Sequence, residues 1–363
     1  MAEKNKKIKI HTNNSCNLKC RFCYYGDSAC IKEKDPTLGD LKLQLKRAKE
    51  LGAMDVDFCG GEPTIMPDFI ELVKYTKSLG FRTIGLTTNG LRMADESYAK
   101  KIIDAGINNV LFSLEGYNAE THDYLTRVPG SFNKIIKAIK NVKKLPVTLR
   151  VNTTVTNENY KVLDKFASLL VGLRPDSVNF IKFNPWGEAL KNSEVLFPKY
   201  SDMAPKIKEA IDILSPHIDK ISVRYMPFCF MQGYEKHVSN CTNLVYDLDE
   251  WGLHGVQIKM SKKFPEYHIN LVKKVVKNIP NLIKVKPSLS LDKVIQDLTI
   301  KKLYIKLPQC RKCKYYSICD GIDKPYSKLH GTEEIIPVAG EKLKDPMHFR
   351  EVYLENYEKK HPS

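Results

Sequence analysis

Three cysteines stand close together near the start of the chain, in the run CNLKCRFC, where Cys16, Cys20 and Cys23 have the spacing C-x3-C-x2-C. Three thiolates on one loop can bind three irons of a four-iron cluster, which in most proteins takes four cysteines. The fourth iron would keep an open position for a cofactor or substrate. The alternatives are three unrelated cysteines and a zinc site completed by His11 or Cys30, although zinc ligands usually come in two pairs. The spacing therefore favours an iron–sulfur cluster.

The secondary structure predicted around this run explains how such a loop is positioned. Strand-like runs alternate with amphipathic segments from residue 7 to about 185, which implies parallel βαβ units in a barrel or open sheet. Reactive groups collect at the carboxyl ends of the strands in such folds, and the cysteine run directly follows the first strand. The predicted strands are 7–12, 54–59, 82–87, 109–114, 147–155 and 177–183, and helices are predicted near 37–51, 67–79, 95–105, 131–145 and 157–171.

Polar residues and glycines follow the next strands at the corresponding positions. GGEP comes after the second strand, and Gly60 and Gly61 permit a close approach of the backbone because they lack a β-carbon. Each such signal is weak alone, but four at successive strand ends are hard to obtain by chance. The others are Asn89 after the third strand, Ser113 and Glu115 after the fourth, and Arg150, Asn152 and Thr154 on one alternating face of the fifth, which we assign to the interior.

These motifs together resemble the radical S-adenosylmethionine (radical SAM) superfamily over about residues 7–187, since the triad has Phe22 before its third cysteine and follows the first strand. The resemblance implies a partial (β/α)6 TIM-like barrel. It also implies that a 4Fe–4S cluster on the triad chelates S-adenosylmethionine and reduces it to methionine and a 5′-deoxyadenosyl radical, which abstracts hydrogen from a substrate. The residues that would contact S-adenosylmethionine are Gly60, Gly61, Glu62, Asn89, Ser113, Glu115, Arg150 and Asn152.

A second group of cysteines lies beyond this region, in the run CRKCKYYSIC, where Cys310, Cys313 and Cys319 have the spacing C-x2-C-x5-C. It is similar to the C-terminal extensions called SPASM and twitch, which carry auxiliary 4Fe–4S clusters. A full SPASM domain has a further cysteine where this chain has Asp323, so we predict one auxiliary cluster. Its ligands would be these three cysteines with Cys229 or Cys241 as the fourth. A structural zinc bound by four thiolates is the alternative.

The length of 363 residues allows one large domain and a smaller one. We predict an α/β radical SAM core at 1–200, a smaller cysteine-rich, SPASM/twitch-like iron–sulfur domain at 221–325 with a Lys-rich insertion, and a C-terminal tail at 326–363. No run of eighteen apolar residues predicts a membrane span. The N-terminus lacks the apolar core of a secretory signal, and ten cysteines without one indicate metal or redox chemistry in the cytoplasm.

The formal net charge of +16 and the isoelectric point near 9.2 are compatible with an acidic peptide, a nucleotide-like substrate or nucleic acid as partner. The same charge also arises from solvated lysines, because the basic residues are spread along most of the chain. We expect a ribosomally made peptide or a protein as substrate, docked by the lysines at 259, 262, 263, 273, 274 and 277.

Two alternatives remain open: modification of a nucleic acid or of a small nucleotide or sugar metabolite, and a non-catalytic iron–sulfur scaffold. The intact strand-end motifs favour catalysis over a scaffold. A low-potential electron donor of the flavodoxin or ferredoxin type is expected as a partner.

Overall fold

The computed structural model describes residues 7–23, 34–244, 300–350 and 353. Eight strands form one sheet in which each strand pairs in parallel with the next along the chain. The predicted α/β fold of repeated strand and helix units is confirmed, and the sheet continues for two strands beyond the six predicted. The strands are β1 (Lys7–His11), β2 (Asp55–Cys59), β3 (Thr83–Thr88), β4 (Asn109–Ser113), β5 (Thr148–Val155), β6 (Ser177–Lys182), β7 (Lys220–Arg224) and β8 (Val238–Ser239).

Helices connect the successive strands from β1 to β7 and pack on the apolar face of the sheet. The first helix begins with a capping box, in which the side chains of Thr37 and Asp40 each bond the other residue's backbone N–H. A helix at 119–126, between the fourth and fifth strands, was absent from the sequence prediction. The helices are α1 (Leu38–Glu50), α2 (Phe69–Ser78), α3 (Glu96–Ala105), α4 (Ala119–Thr126), α5 (Ser131–Lys143), α6 (Leu163–Leu173), α7 (Ser193–Leu196), α8 (Tyr200–Leu214) and α9 (Cys241–Leu244).

The two faces of the sheet differ in chemistry because side chains alternate along each strand. One face is apolar and joins the core with the helices, through residues such as Ile10, Phe58 and Phe180. The other face, which we call the inner face, carries polar side chains in rows across neighbouring strands. One row runs in register from β4 to β7 through Ser113, Asn152, Asn179 and Ser222. This polar face forms the lining that a ligand would meet.

The C-terminal residues add a small antiparallel pair, β9 (Tyr304–Ile305) and β10 (Ile322–Asp323), followed by α10 (Lys324–His330). The strands β7 and β8 belong to the main sheet, although they fall within or next to the segment predicted as a second domain. The Lys-rich stretch at 258–286 and Cys30 lie outside the described residues. In the part of the chain that is described, we find no helix with the length and apolar character needed to cross a bilayer.

Candidate active site at the carboxyl ends of the strands

The cysteine loop follows β1 and crosses the carboxyl edge of the sheet to reach α4. The N–H of Lys19 donates to the carbonyl of Thr126 at 3.1 Å, and the N–H of Arg21 donates to the carbonyl of Leu125 at 2.9 Å. The side chain of Asn192, in the connector after β6, donates to the Arg21 carbonyl at 2.7 Å. The loop is therefore held from both sides over the edge where the strands end.

The three thiols of this loop lie close enough to influence one another. Burial raises the pKa of the Cys20 thiol well above its usual range, and the charges of Glu115, Cys23 and Cys16 raise it further. Burial also raises the pKa of Cys16 to about 11, although the N–H of Leu18 donates to its sulfur at 3.4 Å. A metal that binds such a thiol displaces its proton and holds it as the thiolate. The structure thus brings Cys16, Cys20 and Cys23 together on one loop, as the spacing predicts.

Gly60 and Gly61 support the cysteine loop directly. The N–H of Gly61 donates to the Asn13 carbonyl at 2.7 Å, and the N–H of Glu62 donates to the Ser15 carbonyl at 2.8 Å. A β-carbon on Gly61 would overlap the Ser15 carbonyl, and Gly60 has a φ of +141° that side chains rarely adopt. The two glycines are required here because the backbone after β2 packs against the start of the cysteine loop.

Glu62 is fully buried and joins the ends of β2 and β3. Its Oε1 accepts hydrogen bonds from the N–H of Thr64 and, at 2.7 Å, from the hydroxyl of Thr88, while its Oε2 accepts the N–H of Asn89 at 2.8 Å. Burial raises the pKa of the Glu62 carboxyl, and these hydrogen bonds partly offset the increase. The carboxyl is held in a fixed orientation beside the cysteine loop.

Asn89 brings the end of β3 to the triad. Its Nδ2 donates to the Asn17 side chain at 2.7 Å and lies 3.8 Å from the sulfur of Cys16. Asn17 was not singled out from the sequence, and only its position inside the cysteine run marks it. Asn89 therefore connects two of the predicted motifs, one from the first strand end and one from the third.

Glu115 approaches the triad from the end of β4. Its carboxylate accepts the N–H of Thr154 at 2.6 Å, and burial raises the pKa of this carboxyl to about 8. Its own N–H donates to Nδ1 of the buried His122 at 3.0 Å. Because Glu115 raises the pKa of Cys20, the two groups are neighbours. The Glu115 carboxyl is thus close to the cysteine loop.

The residues predicted on β5 divide into two positions. Asn152 lies in the row with Ser113 and accepts a hydrogen bond from Asn179 at 2.7 Å. Arg150 lies one row nearer the amino ends of the strands, where its Nε donates to Asn109 at 2.7 Å and its guanidinium lies 3.7 Å from Asp57. The structure brings Arg150 to this charged pair rather than to the cysteine loop, because the register of β5 sets its depth.

The C-terminal cysteines form a second group. Burial raises the pKa of the Cys229 thiol, and Cys319, Cys313 and Cys310 raise it further, so these four thiols are neighbours. Backbone N–H groups of Gly321 and Val338 donate to the sulfurs of Cys319 and Cys313, each at 3.4 Å. N–H donors of this kind stabilise cluster-bound thiolates. The structure therefore groups Cys229 with the three cysteines of the C-terminal run.

Cys241 lies elsewhere, among a set of buried acids. Burial raises its pKa first, followed by Asp320, and the N–H of Cys241 donates to the Asp320 carboxylate at 2.7 Å. Among residues 7–23, 34–244, 300–350 and 353, no three His, Cys, Asp or Glu side chains meet closely enough to hold one metal ion. The assignment of both cysteine groups therefore rests on spacing and on the mutual effects of the thiols.

Comparison with known proteins matches residues 10–170 to the family described as the Radical SAM superfamily, which confirms the predicted resemblance. A probable GTP 3′,8-cyclase of Saccharolobus islandicus (strain M.14.25 / Kamchatka #1) is 29% identical over 222 residues, which are 60% of this chain and 66% of the cyclase. An AdoMet-dependent heme synthase of Methanosarcina barkeri (strain Fusaro / DSM 804) is 28% identical over 180 residues, 50% of this chain and 51% of the synthase.

The chain thus spans just under two thirds of the cyclase and about half of the heme synthase. Among solved structures, methylornithine synthase (PylB) has a similar fold, with a TM-score of 0.51 and 17% identity over 80% of this chain and 85% of that protein. This likeness concerns the arrangement of strands and helices.

Proposed function

We propose that this chain, which carries a radical SAM domain over residues 10–170, is an enzyme that cleaves S-adenosylmethionine reductively and abstracts hydrogen from a substrate. Cys16, Cys20 and Cys23 would hold a 4Fe–4S cluster. When bound, that cluster supplies the electron that splits S-adenosylmethionine into methionine and a 5′-deoxyadenosyl radical. The protein contributes the groups that bind the cofactor, fix its orientation and exclude water.

One observation carries this proposal: three strand ends converge on the thiols of a single loop. Glu62 from β2 bonds the backbone of Asn89 from β3, and Asn89 lies 3.8 Å from the Cys16 sulfur. Glu115, which follows β4, influences the Cys20 thiol. We propose that Glu62, Asn89 and Glu115 bind S-adenosylmethionine. The other residues of this proposed site are Gly60, Gly61, Ser113 and Asn152.

The proposal includes one auxiliary 4Fe–4S cluster in a SPASM/twitch-like C-terminal region. The mutual effects of Cys229, Cys310, Cys313 and Cys319 support this set. Cys241 lies outside it because burial, Asp320 and Asp323, and none of these thiols, raise its pKa. A low-potential electron donor of the flavodoxin or ferredoxin type would reduce the first cluster. We place this chemistry in the cytoplasm, where thiols remain reduced.

A ribosomally made peptide or a protein is the first substrate class that we propose, from the resemblance of the C-terminal cysteine group to peptide-modifying enzymes. The second is a nucleotide or another small anionic metabolite. The similarity of 29% to a probable GTP 3′,8-cyclase favours this second class.

The test is the formation of 5′-deoxyadenosine by the anaerobically reconstituted protein with dithionite and S-adenosylmethionine, followed by chromatography. Slow cleavage is expected without any further substrate, since the open iron of a three-cysteine site allows the cofactor to bind at the metal. Cys20→Ala should abolish it. Replacing Cys310 and Cys313 together should spare it, because the auxiliary cluster serves the substrate.

Cys241→Ala is the matched control, since it also removes a buried thiol but lies outside both groups. Absence of 5′-deoxyadenosine from wild type with a loaded, reducible cluster would contradict the proposal. Appearance of methylthioadenosine would show that a different carbon–sulfur bond is cut.

A further inference from the structure

Three buried polar residues lie together on the inner face near the carboxyl ends of β7 and β8. Arg224 ends β7 and Ser239 ends β8, and the two are direct partners in the register of these strands. Ser222 precedes Arg224 by two residues, so its side chain lies on the same face. Arg224 is 3% exposed, and Ser222 and Ser239 are 0% exposed. Their neighbours Ile221 and Val223 point to the opposite face and belong to the apolar core.

The two serine hydroxyls are the unusual part of this arrangement. Neither the Ser222 nor the Ser239 hydroxyl has a hydrogen-bond partner among the described residues. Burial of an unpaired hydroxyl costs stability, and native proteins rarely leave such groups without a partner or a ligand. Two of them, on residues next to a buried arginine in the sheet, indicate a site built for a polar ligand.

An aromatic cluster that holds one further donor lies beside the end of β7. Tyr225, which follows Arg224, has a left-handed φ of +67°, and its N–H donates to the Ser239 carbonyl at 2.9 Å. The ring of Trp186 lies 6.4 Å from that of Tyr225 and 6.3 Å from that of Tyr304, measured between centroids. The indole N–H of Trp186 is also buried and has no hydrogen-bond partner in the described part of the chain.

We propose that Arg224, Ser222 and Ser239 bind the anionic group of the substrate, a carboxylate or a phosphate. A guanidinium presents a planar fork of donors that matches both oxyanions, and the two hydroxyls supply further donors beside it. The identity of the ligand as substrate rests on the proposed function, whereas the anion site itself rests on these three residues.

The position of this site is suitable for a substrate of the radical. The carboxyl edge of the sheet also carries the cysteine loop, and the connector that contains Trp186 continues to Asn192, which bonds that loop at 2.7 Å. An anion held at β7 and β8 would leave the remainder of the substrate free to extend along the inner face toward the loop.

The test is an equilibrium titration of the reconstituted full-length protein, without S-adenosylmethionine, by calorimetry at constant ionic strength. Inorganic phosphate and acetate are titrated separately against chloride. We expect at least one of them to bind once per chain, and the double variant Ser222→Ala, Ser239→Ala to weaken binding at least tenfold. Arg224→Gln should abolish it. Ser177→Ala is the matched control, because this buried inner-face serine lies at the amino end of β6.

Binding of phosphate alone would assign a phosphorylated substrate, and binding of acetate alone would assign a carboxylate such as an acidic peptide side chain. The proposal is overturned when neither anion binds, or when the double variant binds as well as wild type while its circular dichroism and cluster absorbance are unchanged. Cleavage of S-adenosylmethionine is measured on the same samples. Anion binding without cleavage would contradict the proposed radical function but support the anion site. Cleavage without anion binding would contradict the anion site but support the radical function.

Discussion

The Nζ of Lys182 and the Oδ2 of Asp323 lie 2.6 Å apart, and both side chains are completely buried. Lys182 ends β6 in the main sheet, whereas Asp323 belongs to β10. Tyr200 of α8 donates to the same carboxylate oxygen at 2.8 Å. Asp323 stands at the position where a full SPASM domain has a cysteine. In this chain the position serves an ion pair that fastens the C-terminal segment to the sheet.

Removing one member of this pair should destabilise the fold strongly. Asp323→Ala would leave the Lys182 ammonium buried without its carboxylate, and the free energy of unfolding should fall by about 3–5 kcal/mol. Urea unfolding followed by circular dichroism, with all proteins in the same state of reconstitution, measures this loss. The double variant Lys182→Met, Asp323→Leu should recover most of it, because apolar residues often replace a buried ion pair without loss.

Asp104→Ala is the control for this prediction, since it breaks an exposed ion pair with Lys100. The Lys100 side chain is 65% exposed and the Asp104 side chain 61% exposed. Exposed pairs contribute about 0–1 kcal/mol, so the change should be small. If Asp323→Ala is as stable as Asp104→Ala, the buried pair does not fasten the two segments.

The fourth ligand of the auxiliary cluster can be identified by iron analysis. Wild type should bind about eight irons after anaerobic reconstitution, four for each cluster. Cys229→Ala should lose about four of them, because its thiol lies with Cys310, Cys313 and Cys319. Cys241→Ala should keep them all. The opposite result would exchange the roles of Cys229 and Cys241, and zinc in place of iron at this site would exclude a cluster there.

Much of the fold follows from local patterns, because alternation and turn residues locate strands and helices. The six predicted strands coincide with β1 to β6 to within about a residue at each end. β8 has only two residues and α4 only eight, so neither leaves a strong periodic signal. The convergence of the cysteine loop with Glu62 and Asn89 follows from the rule that parallel strands share one carboxyl edge.

Other features of the site depend on register and on distant contacts. Alternation correctly assigned Arg150 and Asn152 to one face, but it gives no depth along the strand, and Arg150 lies a row below, with Asp57. The choice between Cys229 and Cys241 requires knowing which segment packs on the C-terminal cysteines. The partner of Lys182 is 141 residues away in the chain, and no local pattern marks it.

Glu62→Gln should weaken the binding of S-adenosylmethionine while the cluster still assembles. The amide would turn donors toward the N–H and hydroxyl groups that now donate to the carboxylate, and it would remove the carboxylate charge from the proposed cofactor site. A hydrogen bond between charged partners contributes roughly 1.5–3 kcal/mol, so the dissociation constant should rise by about 10- to 150-fold.

Equilibrium binding of S-adenosylmethionine and the visible absorbance of the cluster are measured together. Glu71→Gln on α2 is the control, because Glu71 is an exposed acid that pairs with Lys42. Unchanged affinity in Glu62→Gln would remove Glu62 from the cofactor site. Loss of absorbance would show instead that Glu62 supports the cysteine loop.

His237 should make the fold less stable in mild acid. Burial lowers the pKa of this imidazole to about 4, and the charges of Lys236 and Arg350 lower it further, although its ring nitrogen bonds the Ile221 carbonyl at 3.0 Å. The unfolded chain takes up a proton near pH 6.5, where the folded chain does not, so stability falls as the pH drops from 6.5 toward 4.

Between pH 7 and pH 5, His237 should lower the free energy of unfolding by about 2 kcal/mol. His122, whose pKa burial also lowers to about 4, should add a similar loss. Urea unfolding at both pH values should therefore show a smaller difference for His237→Gln than for wild type, and equal differences would mean that His237 is protonated in the folded protein.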